Sequence, residues 1–230
     1  MEQGIEKSLG DQEIRDDMRN VRAELEVVKI ELFSELLLLA LADKKSRVKY
    51  PDYWAPFRDE ANQIEIEIID ATDRTVKKER DRIIELFAKS GAEDRPNVVS
   101  LKRIQNRDRL QKVLAETRKH HALGSNDDPF ERTHHLFHGP KGNLDNILQE
   151  GGLSTKYSKS HSGGQSGRIW LHQTSSYSMG YANLANNGNK RMFICRAISN
   201  IGGRGGGVYI FKNDHHVLIE YLIEWKTHNT

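Results

Sequence analysis

The chain is poor in the residues that most directly announce a chemistry. It has one cysteine in 230 residues, Cys195. One thiol closes no intrachain disulfide and builds no thiolate zinc cluster, so a reducing, intracellular setting is expected, cytoplasmic or nuclear. Cys195 ends the apolar run Met192-Phe193-Ile194-Cys195 and reads as a small buried hydrophobe, not a nucleophile. Long hydrophobic runs are also missing. The longest, residues 36–41, falls far short of the roughly 20 residues a membrane helix needs and lies too deep behind acidic residues for a signal peptide. No membrane partner is expected. Nor does one sign of charge dominate: 35 basic against 33 acidic residues leave +2, which indicates neither nucleic acid nor anionic lipid. A small substrate or a protein partner is the better expectation. With 37% hydrophobic and 30% charged residues, the composition is that of a folded chain with a wet surface.

What is present begins with a seam. Ile14, Met18, Val21, Leu25, Val28 and Leu32 alternate in steps of four and three, the a/d pattern of a coiled coil, until it breaks at Glu35. A long N-terminal helix is expected over residues 1–47, pairing through residues 14–32 with a copy of itself or a helical partner. Pro51, in Tyr50-Pro51-Asp52-Tyr53-Trp54, biases Tyr50 away from helix. A second domain is therefore expected over residues 48–230.

Within it, alternation predicts strands over residues 64–68 and 98–104, further strands are expected over 133–137, 168–171, 190–198 and 208–211, and the apolar stretch 217–225 is expected as a last strand deep in a sheet. Helical periodicity predicts helices over 73–89, 107–119, 143–149 and 175–182, and residues 156–167 read as a polar loop. Helices come early and strands dominate late, an α+β domain.

Three features carry candidate chemistry. The first is Leu136-Phe137-His138-Gly139, a strand ending in a histidine with a glycine that lets a ligand approach the backbone. The second is the helix with Ser178 and Tyr181 three residues apart, close in sequence to Trp170. Two aromatics and a hydroxyl suit a flat heteroaromatic amide. The third is Glu220 in the apolar stretch Leu218-Ile219-Glu220-Tyr221-Leu222-Ile223. Simple alternation puts Glu220, Leu222 and Glu224 on one face and Ile219, Tyr221, Ile223 and Trp225 on the other. A carboxylate there needs a partner or a cleft.

Together with Leu101-Lys102-Arg103-Ile104-Gln105-Asn106, Ser176-Tyr177-Ser178-Met179-Gly180-Tyr181-Ala182 and Lys190-Arg191-Met192-Phe193, these segments stand in a familiar order. From about Tyr50 to Trp225 the chain resembles the catalytic domain of the poly(ADP-ribose) polymerase family, the diphtheria-toxin-like ADP-ribosyltransferases. It looks most like the mono-ADP-ribosylating members and the tankyrases. The resemblance implies a fold of two packed, mainly antiparallel sheets with flanking helices, and NAD as substrate. It implies a His138-Tyr181-Glu220 triad. His138 would bond the adenosine ribose, and Gly139 and Ser178 would hold the nicotinamide carboxamide. Tyr181 would stack on the ring, with Trp170 on its other face, and Glu220 would bond the nicotinamide ribose. The implied activity is transfer of ADP-ribose to a protein acceptor with release of nicotinamide. The alternative is a catalytically weak NAD-binding or scaffold module working through its N-terminal helix.

Some positions depart from the family's pattern. Pro140 follows the His-Gly pair in place of Thr or Ser, Arg168 replaces a small glycine, and His172 a small alanine. A short link, Gly202-Gly203-Arg204-Gly205-Gly206-Gly207, stands where a longer acceptor-side loop is usual. The short link favours single transfers over chain growth. The histidine groups His120-His121, His134-His135-His138 and His215-His216, without cysteine and with few clustered acids, predict no metal.

Overall fold

Asp73 starts the first helix of the sheet domain by accepting from the amides of Thr75 and Val76 at 2.9 and 3.1 Å, two of the donors a helix start leaves open. This helix, α1 (Arg74–Lys89), buries Ile83 and Phe87 on one stripe. The second, α2 (Arg107–His121), follows strand β2 (Asn97–Asn106) with no loop between them. Asn106 ends the strand and caps the helix, accepting from the Arg109 amide at 2.8 Å. Two shorter helices follow, α3 (Leu144–Gln149) and α4 (Ser175–Met179).

The remaining strands are β1 (Gln63–Glu67), β3 (Thr133–His138), β4 (Ile169–His172), β5 (Asn183–Leu184), β6 (Lys190–Ile198), β7 (Val208–Phe211) and β8 (Val217–Lys226). In this computed structural model, residues 18, 21–22, 25–26, 28–29, 50–56, 62–91, 97–124, 126–141, 144–157 and 167–226 are described. The loop expected over 156–167 lies mostly outside them.

The eight strands form an antiparallel sheet in the order β1-β2-β8-β6-β3-β4-β7, with β5 added on β6. Mixed helix and strand of this kind is the α+β class expected. Among the described residues the strands join into one sheet, where two packed sheets were expected. β3 and β4 are joined at a single pair, Phe137 with His172, and that pair links β4–β7 to the other strands. The sheet is thus continuous but narrowest beside His138.

Two apolar clusters hold the domain. One joins Leu136, Phe193, Cys195, Ile219 and Leu222 with Leu144 and Leu148 of α3. The other joins Phe137, Ile194, Tyr221, Ile223 and Trp225 with Ile83 and Phe87 of α1. Neighbouring residues of one strand fall into different clusters, as the two faces of a sheet require. β6 and β8, flanked by strands and covered on both faces, are the most deeply buried.

One irregularity redirects the site. The β6–β8 register shifts between Ile194, which pairs with Tyr221, and Cys195, which pairs with Ile219. Glu220 is the extra residue of this bulge. Alternation is broken there, so Ile219 joins the cluster of Leu222, not that of Tyr221. Glu220 turns to the Arg196 side, away from Leu222. The face assignment expected from simple alternation is corrected accordingly. The helix expected over residues 175–182 stops at Met179, and Asn183–Leu184 pairs as the short strand β5.

The chain divides into two units, Met1–Tyr50 and Pro51–Thr230, against an expected boundary between residues 47 and 48. In the first unit Met18, Val21, Leu25 and Val28 are helical and each more than half exposed. Ile14, Leu32 and the break at Glu35 lie outside the described residues. Among the described residues no helix is long and apolar enough to cross a membrane.

Candidate functional site

The strand-end histidine and the segment of Ser178 and Tyr181, about 40 residues apart in sequence, are packed together, with Ser178 in α4 and Tyr181 in the turn after it. The Ser178 hydroxyl donates to the Phe137 carbonyl at 3.1 Å. A Cβ on Gly139 would fall 2.2 Å from the Ser178 carbonyl oxygen and 2.8 Å from the Ala182 nitrogen. No side chain fits there, which is the physical reason for glycine after His138. α4 is itself pinned at its start, where the buried Ser175 hydroxyl donates to the Phe87 carbonyl at the end of α1 at 2.8 Å.

His138 Nδ1 donates to the Trp170 carbonyl at 2.8 Å across the narrow β3–β4 junction. Burial lowers its pKa, and the bond to the Trp170 carbonyl offsets this only in part. A neutral ring with Nδ1 protonated leaves Nε2 as an acceptor, able to take a hydroxyl proton. Nearby stand exposed aromatics. Trp170 is 46% and Tyr181 40% exposed. Tyr181 lies 5.8 Å from Tyr177, ring centre to ring centre, and the Lys141 ammonium sits 4.8 Å from its ring. His172, bulkier than the resemblance implies, stacks on Tyr177 at 4.1 Å. Its Nε2 also donates to the Gly206 carbonyl at 3.1 Å, which ties the glycine link to this corner. A polar groove of about 660 Å³ is lined by Lys141, Asp145, Asn183, Arg191 and Glu224 among others, and by none of His138, Gly139, Trp170, Ser178, Tyr181 or Glu220.

Glu220 occupies a different setting. It is fully buried. Arg196 of β6 approaches it through Nε at 3.0 Å and a terminal nitrogen at 3.2 Å. His135 of β3 donates from Nε2 at 2.6 Å, and the Tyr53 hydroxyl donates to the other carboxylate oxygen. Burial alone would raise the Glu220 carboxyl. The Arg196 charge, with the His135 and Tyr53 contacts, outweighs it and holds the group well below the usual carboxylate range. Burial and the Glu220 charge push the Tyr53 phenol up, so it stays a neutral donor. Arg196 is steadied further by the Phe130 ring, 4.6 Å away, and donates to the Thr133 hydroxyl at 3.1 Å.

His138, Gly139, Ser178 and Tyr181 therefore form one corner with Trp170 at its edge. Glu220 makes no hydrogen bond to His138 or Tyr181. Its partners Tyr53, His135 and Arg196 were not anticipated from the sequence. Arg196 was legible in principle, as a charge within an apolar strand that demands an acid nearby. Cys195 is fully buried, and burial pushes its thiol up, which leaves it inert as a nucleophile. No protein-family model and no curated protein matches this chain.

Proposed function

We propose that the chain is an NAD-dependent ADP-ribosyltransferase of the His-Tyr-Glu class, with the diphtheria-toxin-like fold. It transfers single ADP-ribose units from NAD to a protein acceptor and releases nicotinamide. The observation that carries the reading is the contact between two segments singled out separately: the Ser178 hydroxyl on the Phe137 carbonyl, with Gly139 seated against the backbone of residues 178–182. In this reading His138 Nε2 accepts from the adenosine ribose, Gly139 and Ser178 orient the carboxamide, and the exposed rings of Tyr181 and Trp170 flank the nicotinamide. Cleavage of the nicotinamide–ribose bond develops oxocarbenium character on the ribose, as in glycoside hydrolysis. A carboxylate held ionised, as Glu220 is, favours that charge over the ground state. The ribose hydroxyl would take the place of the Tyr53 hydroxyl on Glu220, one donor exchanged for another.

The complete burial of Glu220 favours a second reading, a scaffold or NAD-binding module in which that acid is a structural ion pair. Labelled NAD separates the two. The first expects label on the wild-type chain or its acceptor, lost in His138→Ala and Tyr181→Ala. Tyr181 is exposed, so its removal tests ring stacking with the fold intact. NAD binding by calorimetry without any transfer would establish the second. Gel mobility distinguishes single units from chains.

In both readings the N-terminal unit pairs with a second copy of itself, in parallel. With Met18 and Leu25 at a and Val21 and Val28 at d, the e positions are Arg15, Arg22 and Lys29, and the g positions Asp17, Glu24 and Glu31. A parallel pair sets each g against an e of opposite charge on the other copy.

A further inference from the structure

We propose a zinc site, independent of the transferase reading, formed by Glu116 and His120 at the end of α2 and His216 in the turn before β8. Glu116 and His120 are four residues apart and share one helical face. The turn Asp214–His216 brings His216 against them. His120 Nε2 and His216 Nε2 lie 3.4 Å apart, and His216 Nε2 lies 3.8 Å from a Glu116 carboxylate oxygen. Each residue offers a ligand atom within 4.8 Å of the other two.

These spacings fit an ion better than a hydrogen bond. Ligands about 2.0–2.1 Å from a tetrahedral zinc stand about 3.4 Å from one another. An imidazole pair at 3.4 Å is longer than an ordinary hydrogen bond of about 2.7–3.2 Å. The rings meet edge to face, with an interplanar angle of 82° and their Nε2 atoms 3.4 Å apart. Two imidazoles and a carboxylate suit zinc and its first-row neighbours, whereas calcium and magnesium prefer all-oxygen sets.

The turn is built without help from the ligands. Asp214 accepts from the Thr155 amide at 2.6 Å and the Ser154 hydroxyl at 2.8 Å, and its carbonyl accepts from Arg109 of α2 at 2.8 Å. Asn213 accepts from the His215 amide at 2.9 Å. His216 is thus held facing α2 before any ion arrives. His120 is exposed and leaves one side open to solvent, where water completes the coordination. The bound ion clips the end of α2 to the start of β8. The three members come from a helix turn and a loop about 100 residues apart, a juxtaposition that spacing along the chain does not encode.

The test uses the full chain, stripped of metal with a chelator and titrated with zinc sulfate by calorimetry. One zinc per chain is expected, and cobalt in its place should give the visible absorption of a tetrahedral centre. His120→Ala, whose side chain is exposed and dispensable to packing, should weaken zinc binding by more than the 10–100-fold typical of losing a supporting residue. Glu116→Gln should act in the same direction, and His215→Ala should leave the affinity unchanged. Zinc binding that persists unaltered in His120→Ala, or no saturable binding by the wild type, would overturn the assignment.

Discussion

Glu220 shows how one side chain sets a pH dependence. Taking a carboxylate out of water costs several kcal/mol, and Arg196, His135 and Tyr53 together offset it. Its pKa is depressed in the folded state, so its stabilisation is present above the unfolded value of 4.5 and is lost as pH falls toward the folded value. Glu79 works in the opposite sense. Burial raises it in spite of Arg103, 2.6 Å away, so its contribution is present at low pH and lost as pH rises through its folded value. Comparing wild type with Glu220→Gln isolates the first effect. The variant leaves Arg196 buried without its counter-charge and should lose about 3–5 kcal/mol near neutral pH. Urea unfolding should show the gap closing as pH drops from about 5 to about 3. A gap of constant size over that range would mean that the Glu220 charge does not hold this network.

At the scale of elements, the junction of β3 with α4 is the place where backbone packing is tightest. Gly139→Ala must push a Cβ into the Ser178 carbonyl, an overpacking that should cost about 1–3 kcal/mol. Gly180 is the matched control. Its backbone is already right-handed helical and its nearest neighbour, the Tyr177 carbonyl oxygen, is 3.6 Å from an added Cβ. Gly180→Ala should hold or slightly raise the melting temperature while Gly139→Ala lowers it, and equal effects would contradict this packing account. Much of this level was readable in advance. The helix expected over 73–89 is α1, alternation over 98–104 marked β2, and the apolar stretch over 217–225 marked β8. The bulge at Glu220 was hidden because it depends on the register between two strands, which no single strand encodes. Glu79 was hidden for a similar reason. It sits within the buried stripe of α1 and is tolerated there only because Arg103 and the Tyr221 hydroxyl, from two other strands, meet it. The His138 corner was visible as motifs; the Tyr53-His135-Arg196 setting of Glu220 was not, since its members are scattered along the chain.

For the whole molecule, the proposed pairing of the first unit predicts how many copies act together. Met18, Val21, Leu25 and Val28 leave a stripe of apolar surface exposed, and burying such side chains is worth about 1.5–3 kcal/mol each. Charge then selects the arrangement. In a parallel pair Asp17 of one copy faces Arg22 of the other, and Glu24 faces Lys29, twice over by symmetry. In an antiparallel pair e faces e and g faces g, so like charges meet along both flanks. Lys29 is now bonded to Glu26 of its own helix at 2.8 Å, an exposed contact of little worth that it can exchange. Light scattering on the full chain should therefore give twice the monomer mass. Leu25→Asp, which puts a charge in the seam, should restore the monomer. Met18→Cys tests direction, because a parallel pair brings the two copies of position 18 together and closes a disulfide on oxidation, while the native Cys195 is buried out of reach. A dimer that refuses this cross-link would be antiparallel, and the charge argument would fall even though the seam stood.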